Sequence, residues 1–258
     1  MKTPFVLGVW SLAKREILRF LRQRDRVTGA LVQPLMFWAI FGAGLNASFA
    51  PEGASEASYV AYFYPGTIAM VLLFTAIFAT ISVIEDRNAG FLQSVLAAPV
   101  SSSAISAGKL TGATVLALVQ GTLVLALAPL AGLWPGPASI RAAIGLMAVL
   151  AWSLSALGLS IAWRMDSTQG FHAIMMGFLM PMWFLSGAFF PAAGAPAPVQ
   201  WLIAINPLTY GVSCLRTILV EGPSQVSLPE LLIVAGSAVA MHVLAVRTTA
   251  NRNYGPGA

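Results

Sequence analysis

Charge is scarce in this sequence, and the scarcity decides what surrounds it. Only 9% of the 258 residues are charged while 58% are hydrophobic, whereas a water-soluble domain carries about 25% charged residues. Water alone cannot be the solvent. Cysteine is reduced to Cys214, which excludes an internal disulfide and leaves the redox compartment unmarked. Histidine is limited to His172 and His242, on different predicted helices and without a glutamate pair or cysteine cluster, so no zinc motif is present. No G-x-x-x-x-G-K-[ST] occurs, because Ser103 stands where the first glycine belongs and Leu110 where the hydroxyl belongs around Gly108-Lys109. No cofactor or metal is expected on this chain. Basic patches interleaved with aromatics are also missing, which excludes nucleic acid as a partner.

What is present is a series of apolar runs near the roughly 20 residues that cross about 30 Å of hydrocarbon. The mean hydropathy is +0.80. Without period-two alternation these runs read as spanning helices and not as a barrel. The expected spans are 27–49, 62–84, 110–132, 139–163, 170–190 and 228–246. No cleavable leader is expected at the N-terminus, since "KREILRFLRQRDR" follows the first apolar residues directly, so the first span is expected to serve as the signal.

Six crossings place both termini on one side, together with the loops at 85–109 and 164–169. That side holds Lys2, Lys14, Arg15, Arg19, Arg22, Arg24, Arg26, Arg87, Lys109, Arg164, Arg247 and Arg252, 12 of the 14 Lys and Arg. Arg141 and Arg216 remain for the other. The termini are therefore expected in the cytoplasm, with the net charge of +5 acting as an orientation signal.

Residues 1–26 precede the first span. Val6, Trp10, Ala13, Ile17 and Phe20 recur at spacings of four and three, and Arg15, Arg19, Arg22 and Arg26 do the same on the opposite face. This phasing predicts an amphipathic helix in the inner interface, its apolar face in membrane lipid and its arginines among anionic headgroups. Residues 27–246 form the six-helix domain, and 247–258 a cytoplasmic tail. Between the fifth and sixth spans, residues 191–227 contain two short apolar pieces separated by Asn206 and Pro207. Proline lacks an N–H and restricts the residue before it, so one piece ends at Asn206 and the next begins at Pro207. An external re-entrant hairpin is expected there, with Tyr210 and Arg216 on its second limb.

The loop "EDRNAGFLQSVLAAPVSSSAISAGK" at 85–109 has charged ends and an uncharged middle. A helix from Asn88 to Ala98, stopped by Pro99, would present Phe91, Leu92, Val95 and Leu96 as an apolar knob below the bilayer, with Gly90 leaving room for close backbone approach. Such a knob is covered either by a partner or by the inner ends of the spans. Between Val27 and Ile84 there are almost no ionisable groups, and the only acidic or basic residues are Glu52 and Glu56, in the predicted external loop. Buried Asp, Glu or His, the usual elements of an ion-coupled site, are absent there, so the energy for any transport must come from another subunit. Ser186 with His242 as base is the alternative enzyme reading, an intramembrane hydrolase. Their positions along the predicted helices put them about 18 Å apart in depth, which argues against it.

The loop resembles the cytoplasmic loop of type-2 ABC transporter permeases, in particular the daunorubicin-resistance and nodulation-export type with a G-F-L-x-x-x-L-x-A-P-V core. Gly90, Phe91, Leu92, Leu96, Ala98, Pro99 and Val100 match it. The resemblance continues in "QPLMFWAIFGAGL" from Gln33, "YFYPGTIAM" from Tyr62 and "NPLTYGVSCLRTIL" from Asn206. Gln93, Ser94 and Ser102 stand where relatives usually carry charge, so docking on this chain should rely less on salt bridges.

The resemblance implies an all-α integral membrane protein of the bacterial inner membrane, paired as a homodimer or with a second permease. It implies two separate ATP-binding subunits that hold the ATP and Mg, a coupling helix made by Gly90, Phe91, Leu92, Val95, Leu96 and Pro99, and no catalysis by this chain itself. The transport path in relatives runs between the first, second and fifth spans, where Phe37, Phe41, Met176, Met180, Trp183 and Phe184 would offer an adaptable apolar lining. Export of a lipophilic or drug-like substrate is expected, with export of a polysaccharide or lipid-linked glycan as the alternative.

Overall fold

The computed structural model describes residues 5–45 and 59–250, all of whose regular elements are helical. Lys2, Glu52, Glu56, Arg252, the end of the expected first span at 46–49 and most of the tail lie outside the described residues. The long elements are α1 (Phe5–Arg22), α2 (Arg24–Leu45), α3 (Tyr59–Asn88), α5 (Ser102–Leu125), α6 (Pro137–Ala162), α7 (Thr168–Ala188) and α10 (Leu228–Ala250). Three shorter helices complete the fold: α4 (Phe91–Ala97), α8 (Ala197–Ile205) and α9 (Pro207–Val220).

Six helices, α2, α3, α5, α6, α7 and α10, are long and apolar enough to cross a membrane. This is an all-α integral membrane protein. The six match the expected spans in order, with one large shift. α5 begins at Ser102, where a loop was expected, because the Ser101 hydroxyl accepts from the Ala104 N–H and caps a helix that the serines tolerate.

α3 is the axis of the bundle. In its most apolar 18-residue window 94% of residues are buried, against 17% for α2 and for α10. It packs against α2, α5, α6, α7 and α9. The close approaches are made by small residues, as expected where lipid removes the hydrophobic drive between helices. A methyl added at Gly66 of α3 would lie 2.5 Å from Ala188 Cβ of α7.

α8 and α9 are bent 82° apart at Asn206, the position where the sequence predicts the break. The Asn206 side chain accepts from the Leu208 N–H at 3.0 Å and starts α9. Its amide donates to the carbonyls of Met182 and Leu185 at 2.6 and 3.1 Å. These carbonyls lie next to and within the second of two π-helical stretches of α7, Met175–Leu179 and Phe184–Ala188, where wider turns leave backbone acceptors unpaired. Asn206 is thus both the break of the hairpin and its tie to the fifth span.

Candidate coupling site

One end of the bundle gathers the end of α3, the start of α5, the α6–α7 turn, the C-terminal turn of α10 and all of α1. Ser106 and Thr249 share a hydrogen bond there. From this end α4 projects.

α1 runs beside α5 in the same direction. Gly8 faces Ala104, and methyls added at Gly108 and Gly112 would lie 2.7 Å from Leu12 Cβ and 2.8 Å from Glu16 Cβ. Gly108 and Gly112 thus form a small-x-x-x-small seam for α1, a spacing present in the sequence and overlooked in reading it. Phe20 closes the seam against Ala79, Ala113 and Leu116.

The arginine face of α1 departs from its expected role. Arg15 and Arg19, together with Arg26 in the first turn of α2, do not reach outward to headgroups but turn onto the acidic end of α3. Arg15 donates to both Asp86 oxygens at 2.9 and 2.7 Å, Arg19 to Asp86 and, at 2.6 Å, to Glu85, and Arg26 to Glu85. Donation to Asp86 holds the Arg15 guanidinium above its ordinary range and outweighs the opposite pull of burial. Beneath this layer Lys109 donates to Glu16 and Asp86, and the Ser82 hydroxyl donates to Glu16 at 2.5 Å. Glu16, Asp86 and Lys109 are all buried. Val6, Trp10, Leu18 and Leu21 remain exposed, so α1 keeps an exposed apolar arc.

The helix expected to serve in coupling, α4, is shorter than the sequence predicts. Asn88 ends α3, and Gly90 supplies a left-handed residue at φ +73° before α4 begins at Phe91. A methyl at Gly90 meets nothing within 4 Å, so glycine serves the backbone conformation and not the close approach expected from the sequence. The knob is also turned: Leu92 is buried, Phe91, Val95 and Leu96 are half-buried, and the exposed face carries Gln93, Ser94, Ala97 and Pro99. The apolar side faces the chain's own helices. Arg15 lies 3.7 Å from the Phe91 ring centroid, joining α4 to α1. On the other flank Arg87 donates to the carbonyls of Trp163 and Met165 and, at 2.9 Å, to Asp166. α4 is therefore suspended from the most enclosed helix of the bundle, between two ionic anchors.

At the opposite end, the expected path residues divide. Phe41 joins an aromatic wall, its ring centroid 5.0 Å from Phe189 and 6.5 Å from Phe63, and Phe37 lies behind it, tilted, at 5.4 Å. Phe184 touches Phe189. Met180 is half-buried, and Met176 is exposed on the flank of α7. Trp183 departs from the expectation of a lining residue: it is fully buried, with its indole N–H donating to the Gly66 carbonyl at 2.8 Å. Pro207 opens α9, and Tyr210 donates back to Ala204 at 2.7 Å. Ser186 donates to the Trp183 carbonyl while His242 lies against Trp152, so the two have separate surroundings. No cluster of potential metal ligands occurs among the described residues.

The model of the ABC-2 type transporter family matches residues 8–220. The chain belongs to this family. Nodulation protein J of Sinorhizobium fredii is 26% identical over 224 residues, covering 85% of this chain and 79% of its own length. The transport permease ycf38 of Cyanophora paradoxa is 23% identical over 214 residues, covering 82% and 74%. A probable multidrug ABC transporter permease of Escherichia coli K12, YbhR, is 29% identical over 171 residues, 64% of this chain and 45% of that protein's length. The matched region of this ABC-2 permease includes α4, its two anchors and the hairpin.

Proposed function

We propose that this chain is the membrane half of an ATP-driven exporter and moves a lipophilic or drug-like substrate outward across the bacterial inner membrane. Two copies, or this chain and a second permease, take up two separate ATP-binding subunits, which carry the ATP and Mg. The observation that supports this reading is the suspension of α4. A helix hung from Gly90 at the end of α3, and joined to α1 through Arg15 and Phe91, passes a push from below into the axis of the bundle. Gln93, Ser94, Ala97 and Pro99 form the surface that the ATP-binding subunit grips. Their lack of charge fits a contact made by shape and small polar groups.

In this account closure of the two ATP-binding subunits tilts α3 and α5 at their inner ends, and the aromatic wall at their outer ends parts. The drug-like substrate class follows the likeness to the multidrug permease YbhR. The test is ATP hydrolysis by the purified chain alone and with the ATP-binding subunit that accompanies it from native membranes. Turnover is expected only with that subunit. Turnover by the isolated chain would contradict the proposal.

A further inference from the structure

The end of the bundle that carries the hairpin holds a guanidinium that meets no carboxylate among the described residues. Arg216 of α9 lies 4.2 Å from the Tyr62 ring centroid and donates to the Gly187 carbonyl at 2.8 Å. Tyr62 donates to the same carbonyl at 3.0 Å, and Gly187 exposes it by taking φ +70°. The Arg216 Nε is enclosed and has no acceptor. The contrast with the other end is sharp. Arg15, Arg19, Arg26 and Arg87 each face a carboxylate, whereas none of the ion pairs among the described residues includes Arg216. Glu230, on the adjacent helix α10, instead accepts from Ser213 and Cys214.

A partly desolvated cation is stabilised by an anion far more than by one carbonyl and one ring face. The place for that anion is bordered by apolar surface. Tyr62 stacks on Tyr59 at 6.1 Å, and Tyr59 meets Phe189, which touches Phe41 and Phe184. Helices α2, α3 and α7 thus bring an aromatic wall beside a positive charge that no carboxylate among the described residues matches. We propose that Arg216, positioned by Tyr62, binds the acidic headgroup of an amphiphile, a phosphate or carboxylate whose apolar body rests on that wall. The guanidinium leaves Gly187 and engages the oxyanion through its two-nitrogen fork. That the bound amphiphile is cargo rests on the export reading; the binding itself does not.

The test uses the full chain in nanodiscs of neutral phosphatidylcholine, titrated with dodecyl phosphate or dodecyltrimethylammonium while tryptophan fluorescence is followed. A saturable change is expected with the phosphate and none with the ammonium. R216Q should weaken phosphate binding by about tenfold or more, since a charge-assisted contact is lost. R216K, which keeps the charge but not the fork, should weaken it by a few-fold. Melting curves establish that each variant is folded, and R216K decides the matter if R216Q is not. Discs that contain phosphatidylglycerol separate two sources of the anion. Loss of the phosphate response there identifies a bilayer headgroup, and its persistence identifies a ligand reaching Arg216 from within the chain; both keep the site. No response in the unaltered chain, or equal affinity in the variants, overturns it. Because neither hydrolysis nor transport is measured, that failure leaves the export reading standing.

Discussion

Arg15 and Asp86 meet in a two-point ion pair, Nη1 to Oδ2 at 2.9 Å and Nη2 to Oδ1 at 2.7 Å, that ties the N-terminal helix to the end of the central span. The same guanidinium covers Phe91. One side chain therefore touches α1, α3 and α4, and its loss should be felt in all three. Arg15→Gln is expected to lower stability by about 1–2 kcal/mol, less than a fully buried pair would cost, because Arg19 and Lys109 still neutralise Asp86. Arg22→Gln, on an exposed residue, should change the melting temperature little. Equal melting of the two variants would count against the ionic anchor.

Lys109 is the deeper test of the same network. Lys109→Met leaves Glu16 and Asp86 buried with one cation fewer and should cost about 3 kcal/mol or more. Combining it with Glu16→Gln removes one stranded charge, so the double variant should be more stable than Lys109→Met alone. A thermal-melting double-mutant cycle gives the coupling, and simple additivity would show that the two residues do not interact.

The six spans were legible because 20-residue apolar runs have few other uses, and the hairpin because Asn206-Pro207 forces a break. The ionic network was not. Arginines at spacing four look the same whether they meet lipid headgroups or protein carboxylates, and the decision lay with Glu85 and Asp86, more than sixty residues away. The start of α5 was hidden because serines suit both loops and N-caps. Trp183 looked like a lining residue because composition cannot say which side of a helix meets the Gly66 carbonyl. The apolar, helical character of α4 is legible in its spacing, but the direction of its apolar face is not, since such a face fits the chain's own helices as well as a partner.

The glycine seams predict a graded series. Gly66→Ala and Gly112→Ala place a methyl 2.5 Å and 2.8 Å from a neighbouring Cβ and should destabilise by about 1–3 kcal/mol each. Gly145→Ala meets nothing within 4 Å and should be neutral or slightly stabilising. Gly90→Ala also meets nothing, but its positive φ should cost about 1 kcal/mol, concentrated on α4. Melting curves rank the four, and an unaffected Gly66→Ala would be at odds with the observed helix approach.

Orientation is tested by single cysteines in a Cys214→Ser background. Gln93 and Ser224 are exposed at opposite ends of the bundle. An impermeant thiol reagent applied to intact cells should label position 224 directly and position 93 only after the membrane is opened. The reverse pattern would place the termini outside.

The most direct measurement of the central claim is recovery of the ATP-binding subunit per folded permease, taken beside a melting curve for three variants. Ala97→Asp and Ser94→Arg alter the exposed face of α4, and Leu92→Asp puts a carboxylate where the chain packs against itself. The two surface changes should lower recovery at least several-fold with unchanged melting, because an unpaired charge in a dry contact costs about 2 kcal/mol. Leu92→Asp should instead lower the melting temperature. Full recovery of the ATP-binding subunit by folded Ala97→Asp and Ser94→Arg would contradict the assignment of α4 as the coupling helix.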